Sequence, residues 1–234
     1  MTDEVQIQRN YYAQTATSYD SMHLYEKDEH FFALSWMLAI IDFYELTSIL
    51  DVGAGTGRTI AYLKQKRPDI RVVGIEPVAE LREVGYQKNI SRKELIEGDA
   101  TKMPFPDNSF DLVCEFAVLH HIRTPDNAVR EMLRVANKAV FISDANRFGQ
   151  GSPLARFAKT MINSLGLWAA ANYVKTRGKG YMISEGDGLA YSYSVFDNYN
   201  LIRSKCRTVH LLNTHDANKN LFRTASHVAL LGVK

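Results

Sequence analysis

The amino-acid sequence predicts an α/β protein built on a mostly parallel β-sheet with helices on both faces. Buried-strand runs alternate with helical patterns along most of the chain. One apolar run, at 49–52, breaks into a glycine-rich turn and then enters a helical pattern. Two further strand-like runs end at the acidic residues Glu76 and Asp99. Together these features indicate repeated strand–turn–helix units with polar groups at one edge of the sheet.

The glycine-rich turn has the spacing G-x-G-x-G at Gly53, Gly55 and Gly57. Glycine allows positive φ and close backbone approach, so the turn can hold N–H groups against a ligand at a helix N-terminus. A dinucleotide fingerprint would need its last glycine at the position of Arg58, which weakens an NAD interpretation. For this motif alone, a plain strand-to-helix turn is an equal alternative.

The acidic residues strengthen the ligand-site interpretation. Glu76 lies 19 residues after Gly57, near the offset at which a carboxylate binds ribose hydroxyls. Because the carboxyl ends of parallel strands meet at one edge, the turn, Glu76 and Asp99 are expected to lie side by side. Singly, either acid could be a helix-capping or turn carboxylate. As a set they favour a nucleoside-binding site.

These residues belong to a longer series of motifs. The series comprises LDVGAGTG at 50–57, Glu76, Gly-Asp-Ala at 98–100, Met-Pro-Phe at 103–105, and FDLV and VLHHI at 110–113 and 118–122. With it, the chain resembles the class I S-adenosylmethionine-dependent methyltransferases, in the small-molecule branch that includes the ubiquinone and menaquinone enzymes. The resemblance spans about residues 45–145. It implies a Rossmann-like, seven-stranded, mostly parallel sheet with an antiparallel edge strand, completed by strands near 208–212 and 227–233.

The resemblance also implies S-adenosyl-L-methionine as cofactor and S-adenosyl-L-homocysteine as product. In that family the glycine loop holds the methionine part, the acid after the second strand binds both ribose hydroxyls, and the acid after the third bonds the adenine amino group. Carried over by position, these roles fall to Asp51, Gly53 and Gly55, to Glu76, and to Asp99. The predicted cofactor-binding set is completed by Tyr19, Ala54, Ala100 and Glu115.

The stretch 115–122 follows the fourth strand and is expected to face the transferred methyl group. Its adjacent His120 and His121 are the predicted catalytic residues, because imidazole titrates near neutral pH and can act as a general base. A hydroxyl acceptor would benefit from such a base, whereas an amine would need little besides deprotonation. The alternative is that one histidine caps and the other packs. No NPPY-like stretch is present, which argues against methylation of adenine or glutamine amino groups.

Composition excludes several classes of function. The 28 basic and 26 acidic side chains nearly balance, without a run of like charges, so nucleic acid is not an expected partner. No His/Cys/Asp/Glu spacing indicates a metal site. Cys114 and Cys206 are expected to be buried thiols in a reducing compartment. The N-terminus has no apolar export core and no stretch reaches ~18 apolar residues, so a cytoplasmic protein without a transmembrane segment is expected.

Residues 1–234 are predicted to form a single domain with two additions to the sheet. Helical patterns at about 3–17 and 25–44 form an N-terminal helical cap (about 1–44), and the long segment at about 146–192 forms a lid over the acceptor. The lid contains a predicted helix at 153–174 whose apolar stripe is expected to be buried. Basic residues beside the stripe leave open a weak contact with a membrane surface, and a solvated lid face is the alternative.

The predicted function is in-line methyl transfer to oxygen or nitrogen of a small-molecule acceptor. Positioning of the two reactants, rather than a reactive side chain, is the main requirement. Two alternatives stay open: a non-catalytic S-adenosylmethionine-binding protein of the same fold, and an RNA or protein methyltransferase. The sequence does not name the acceptor, its heteroatom, the pathway or the oligomeric state.

Overall fold

The computed structural model describes residues 3–25, 27–215 and 220–234, and strands and helices alternate along it as predicted. The first five strands are β1 (Ser48–Val52), β2 (Arg71–Ile75), β3 (Leu95–Ile96), β4 (Phe110–Phe116) and β5 (Ala136–Ala145). Four more follow: β6 (Tyr181–Ser184), β7 (Gly188–Tyr191), β8 (Thr208–Asn213) and β9 (His227–Val233).

The helices flank the sheet, and several of them lie within the segments predicted as cap and lid. They are α1 (Asp3–Thr15), α2 (Tyr19–His23), α3 (Glu29–Phe43), α4 (Arg58–Lys66), α5 (Ala79–Gln87), α6 (Pro125–Val135), α7 (Pro153–Ser164), α8 (Trp168–Lys175) and α9 (Tyr199–Arg203). Helices α1 and α3 occupy the predicted N-terminal patterns. Residues 1, 2 and 26 of the predicted cap lie outside the described part of the chain.

Seven strands form one sheet in the order β3-β2-β1-β4-β5-β9-β8. Strands β1 to β5 pair in parallel, and β9 pairs antiparallel with both β5 and β8. The predicted seven-stranded, mostly parallel sheet is confirmed. The antiparallel pairing lies at the expected edge, where β9 is inserted between β5 and the outermost strand. The carboxyl ends of β1, β2, β4 and β5 therefore meet at one edge.

Apolar side chains cover both faces of the sheet. From α3, Leu34, Met37 and Ile41 are fully buried in the cluster that covers one face. On the other face α6 buries Val129 and Met132. Both helices carry their apolar residues at the helical spacing that the sequence shows. The sheet edge that carries the polar groups is thus held by a packed scaffold.

The lid differs from its prediction. The expected helix at 153–174 is interrupted at Gly166, where φ is +71° and the chain turns between α7 and α8. The expected burial of the apolar stripe is wrong, because no residue of α7 or α8 is buried. Phe157 is 65% exposed and Leu165 is 66% exposed. The periodicity identified the helix, but no surface of the described chain covers its apolar face.

Two further predictions concern cysteines and membrane spans. Cys114 and Cys206 are both buried and free. Within the described ranges, no helix combines the length and apolar character that crossing a bilayer requires.

Candidate active site

The glycine-rich turn links β1 to α4 with the backbone that its sequence predicts. Gly53, Gly55 and Gly57 have φ angles of 69°, 55° and 86°, in the left-handed region that disfavours other residues. A Cβ atom on Gly53 would lie 2.5 Å from Cγ2 of Val118. The turn is therefore packed against the segment that follows β4, where the predicted catalytic residues lie.

Glu76 is a buried carboxylate that contacts the turn directly. Its Oε2 accepts the N–H of Gly55 at 3.0 Å, and its Oε1 accepts the N–H of Val78 at 2.9 Å. Burial raises the pKa of Glu76 to about 7, because desolvation outweighs these two bonds. Burial likewise raises the pKa of Asp51, at the end of β1, to about 7. Each Glu76 oxygen keeps a lone pair for a further donor.

A first cavity of about 430 Å³, here the turn cavity, opens beside Gly53. It is lined by five of the nine predicted cofactor-binding residues: Tyr19, Gly53, Glu76, Asp99 and Ala100. The other four do not line it: Asp51, Ala54, Gly55 and Glu115. Gly55 still reaches the cavity wall through its bond to Glu76. Glu76 and Asp99, expected to lie side by side at the ends of parallel strands, both line this cavity.

Glu115 lies behind the wall of the cavity. It is fully buried on β4, and its Oε2 accepts the N–H of Val118 at 2.9 Å. Its Oε1 has no hydrogen-bond partner among the described residues. Burial, reinforced by the nearby Asp144, raises its pKa well above the usual range. This geometry supports the turn after β4 rather than direct contact with a ligand.

Helix α1, which lies in the predicted N-terminal cap, supplies a further wall of the turn cavity. Val5, Gln8, Arg9 and Tyr12 line it. Arg9 forms a salt bridge of 2.8 Å with Asp99. The helix is polar and has no clear apolar stripe, so its packing surface could not be recognised from periodicity.

Asp144, at the end of β5, organises the turn that carries both histidines. This carboxylate is fully buried. Its Oδ2 accepts the N–H groups of Leu119 at 2.9 Å and His120 at 3.3 Å, and its Oδ1 lies 2.7 Å from Nδ1 of His120. Although burial raises the pKa of Asp144, His120 lowers it below the usual value. Asp144 was missed, yet an acid at a strand's carboxyl end is the signal that identified Glu76.

His120 lies between two carboxylates. Its Nδ1 contacts Asp144, and its Nε2 is 3.3 Å from Oδ2 of Asp187 in the lid. Burial lowers the pKa of His120, but the two carboxylates outweigh burial and raise it well above the usual value. His120 therefore holds its proton at neutral pH and links the sheet edge to the lid as a cation.

His121 has a different environment. Its Nδ1 is 2.6 Å from the carbonyl oxygen of Leu189, which can only accept, so this nitrogen carries the hydrogen. Its Nε2 is 2.9 Å from the hydroxyl of Tyr12, and that hydroxyl can donate to it. Burial raises the pKa of Tyr12 well above its usual value. Nε2 of His121 also lies 3.4 Å from Oδ1 of Asp187, so this nitrogen faces both the Tyr12 oxygen and a carboxylate.

A second cavity of about 660 Å³, here the lid cavity, lies on the other side of Tyr12. Both cavities are lined by Tyr12, Tyr19, Phe116, Ala117 and Tyr191, so they meet just beyond β4. His120 lines the lid cavity and His121 lines the turn cavity. A molecule in one cavity would contact a molecule in the other beside Tyr12.

The lid reaches the N-terminal helix through the β6–β7 hairpin. Gln8 accepts the N–H of Leu189 and donates to the carbonyl of Asp187 at 3.2 Å. Gly188 has a φ of +68°, and a Cβ atom there would lie 2.5 Å from Oε1 of Gln8. The absence of a side chain at Gly188 therefore allows the hairpin to approach α1 closely.

The central part of the chain is similar in sequence to known methyltransferases. Residues 50–142 match the family model of a methyltransferase domain. Over 109 residues the chain is 32% identical to a demethylmenaquinone methyltransferase of Roseiflexus castenholzii, covering 46% of each chain. Over 94 residues it is 35% identical to the ajmaline N-methyltransferase of Rauvolfia serpentina, covering 38% of this chain and 32% of that protein. The matched parts thus span less than half of these relatives.

Solved structures share the fold over the whole chain. Magnesium protoporphyrin IX methyltransferase of Synechocystis PCC 6803, solved with bound S-adenosylmethionine, aligns with a TM-score of 0.63 at 12% identity, covering 100% of this chain and 98% of that one. An S-adenosylmethionine-dependent methyltransferase of Thermotoga maritima aligns with a TM-score of 0.58 at 20% identity, covering 96% and 99%. The predicted resemblance to class I methyltransferases is confirmed. The match to the methyltransferase-domain model covers residues 50–142, which contain the glycine-rich turn, Glu76 and Asp99.

Replacing Asp144 by asparagine should destabilise the fold. The change removes the charge that His120 faces inside the protein, and breaking a buried ion pair costs about 3–5 kcal/mol of unfolding free energy. Denaturant unfolding of Asp144→Asn measures the loss. Asp107→Asn is the control, since Asp107 is 71% exposed in its salt bridge with Arg134 and should cost within about 1 kcal/mol. Equal losses in the two variants would contradict the organising role of Asp144.

Proposed function

We propose that this protein transfers a methyl group from S-adenosyl-L-methionine to oxygen or nitrogen of a small-molecule acceptor. The observation that carries the proposal is the meeting of two cavities beside Tyr12, at the carboxyl edge of the sheet. One cavity is sized for the cofactor and the other for an acceptor. The methyltransferase domain match and the shared fold support the same reaction.

The turn cavity fits the cofactor chemically. Gly53 lines the cavity without a side chain, so its backbone can contact the methionine part, and Glu76 has lone pairs left for the two ribose hydroxyls. Asp99 lies where an adenine amino group can donate to it, beside the guanidinium of Arg9. The cofactor supplies the activated methyl group. The chain's own residues have to orient the acceptor, which is worth ~7–11 kcal/mol of barrier in well-aligned reactions.

Proton removal is assigned to the Tyr12–His121 pair. His120 keeps its proton because two carboxylates face it, so it is a poor base. His121 can accept the Tyr12 proton at Nε2, while the Tyr12 oxygen takes the proton of an acceptor hydroxyl in the lid cavity. In this assignment His120 holds Asp187 of the lid in place. An amine acceptor would rely on the pair less.

Turnover should be detectable with deuterium-labelled S-adenosylmethionine and a fractionated metabolite extract. For a hydroxyl acceptor, His121→Asn and Tyr12→Phe should each lower kcat by roughly 10²- to 10⁴-fold. Each change removes one member of the pair that takes the acceptor proton. His210→Asn, an exposed change on β8, is the control and should turn over normally. Labelled product formed at the wild-type rate by both variants would overturn the base assignment. Cofactor binding without any labelled product would favour the non-catalytic alternative.

Cofactor affinity should depend on the ionisation of Glu76. Ribose hydroxyls donate to the ionised carboxylate, and because its pKa is raised to about 7, affinity should be lost below that pH and gained above it. Calorimetric titration with S-adenosyl-L-homocysteine should show up to about tenfold tighter binding at about pH 8 than at about pH 6. Glu76→Gln should flatten this rise, and Glu94→Gln should keep it. A rise of equal size in Glu76→Gln would contradict the ribose assignment.

The partner proposals follow from charge and surface. The balanced charge supports a small-molecule acceptor rather than nucleic acid. Between 153 and 180 the lid has five basic and no acidic residues beside its exposed apolar side chains, Leu154, Phe157, Met161 and Leu165. An apolar helix face with basic flanks suits the surface of an anionic membrane. We infer that this face rests on such a surface while the lid cavity takes its acceptor.

Vesicle sedimentation tests this membrane contact. The protein should co-sediment with phosphatidylcholine vesicles that contain phosphatidylglycerol, and less with pure phosphatidylcholine. Phe157→Glu combined with Leu165→Glu should release it, since charges then enter the apolar face. Phe43→Glu is the matched control, because Phe43 is equally apolar and 78% exposed at the end of α3. Release by Phe43→Glu alone, or no binding to either vesicle, would overturn the contact.

A further inference from the structure

A cluster of metal-ligand side chains lies in the wall of the lid cavity, away from Tyr12 and His121. It consists of Glu29 and His30 at the start of α3 and His227 at the start of β9, here called the Glu29 cluster. All three line the lid cavity. One ligand atom from each lies within 4.8 Å of the others. The spacing of residues in the sequence did not indicate this metal site, because His227 lies 197 positions after His30.

The separations within the Glu29 cluster suit a shared ion. Oε1 of Glu29 is 3.4 Å from Nε2 of His227, and its Oε2 is 3.6 Å from Nδ1 of His215. A charge-assisted hydrogen bond between such groups is shorter, about 2.7–2.9 Å. Two ligands that bind one tetrahedral ion at ~2.0–2.2 Å lie roughly 3.3–3.6 Å apart. The carboxylate and the imidazoles are therefore spaced as neighbouring ligands.

The supporting contacts orient the two half-buried rings of His30 and His227. The hydroxyl of Ser143 lies 3.0 Å from Nδ1 of His30, and the hydroxyl of Ser226 lies 3.2 Å from Nδ1 of His227. Holding one ring nitrogen fixes the direction of the other, which is the usual arrangement around metal-bound histidine. Ser143 and His227 belong to the paired strands β5 and β9, so the cluster stands on rigid backbone.

We propose that Glu29, His30 and His227 bind a divalent transition-metal ion of the zinc class, with His215 near enough to add a fourth ligand. Two imidazoles and a carboxylate suit zinc, cobalt or nickel, whereas magnesium and calcium prefer oxygen ligands. Because the cluster lines the lid cavity, an open coordination position would face the acceptor. The site would then take an acceptor that offers an oxygen ligand, separately from proton removal at His121.

A second group with ligand-type atoms, His120, His121 and Asp187, is the competing location. There Nε2 of His120 and Nε2 of His121 lie 3.3 Å and 3.4 Å from the carboxylate oxygens of Asp187, and Nε2 of His121 also contacts the Tyr12 hydroxyl at 2.9 Å. An ion at that location would displace the Tyr12 hydroxyl. In the Glu29 cluster the hydroxyls that contact the rings lie at Nδ1, and Nε2 of His227 faces Glu29. The geometry therefore favours the Glu29 cluster.

Equilibrium dialysis of the full chain against zinc or cobalt chloride, without cofactor, tests the site independently of methyl transfer. One ion per chain is expected, with visible ligand-field absorption from the cobalt form. Glu29→Gln and His227→Gln should weaken binding by about 100-fold or more, and Ser143→Ala by about tenfold. His210→Gln, a change of an exposed histidine on β8, should bind as the wild type does. Circular dichroism checks that each variant is folded.

Several results would overturn the site. Absence of stoichiometric zinc or cobalt binding would do so, as would magnesium bound as tightly as zinc. Retention of the ion by folded Glu29→Gln and His227→Gln, with its loss in Asp187→Asn, would move the site to the competing group. None of these results bears on turnover with labelled cofactor, so failure of the metal site and failure of the methyltransferase proposal are distinguishable.

Discussion

The contact between Asp144 and His120 connects the end of β5 to the turn after β4 and, through His120, to Asp187. A carboxylate at the end of β5, out of reach of water, is stabilised by an imidazolium and by backbone N–H groups of the turn after β4. The same turn presents His121 to Tyr12 of α1, and the far side of His120 meets Asp187 of the lid. Sheet, N-terminal helix and lid are therefore joined through one buried charge pair.

The acidic side chains at the carboxyl edge of the sheet fall into two groups whose pKa values are shifted in opposite directions. On the turn side, burial raises the pKa values of Asp51 and Glu76, and backbone N–H groups only partly compensate. On the lid side, the His120 cation lowers the pKa values of Asp144 and Asp187 despite their burial. On the turn side the environment therefore favours the neutral form of these carboxyl groups. On the lid side it favours the charged form.

The sequence was informative wherever structure is local. Strand, turn and helix periodicity identified the glycine turn, and the rule of acids at strand ends identified Glu76 and Asp99. Asp144 satisfies the same rule and was overlooked. The roles of Gln8, Arg9 and Tyr12 depend on where α1 docks, which no local pattern encodes. The same limit explains the Glu29 cluster and the exposed lid face, since both are decided by which distant surfaces meet.

Tyr12 and Gln8 lie on one helix, so the two cavities are coupled through α1. Helix α1 walls the turn cavity and is hydrogen-bonded to the hairpin that closes the lid cavity. Moving α1 away from the turn cavity would break its hydrogen bonds to the β6–β7 hairpin. A ligand that holds α1 in this position should therefore raise the affinity of the other cavity for its own ligand, and the reverse should hold equally.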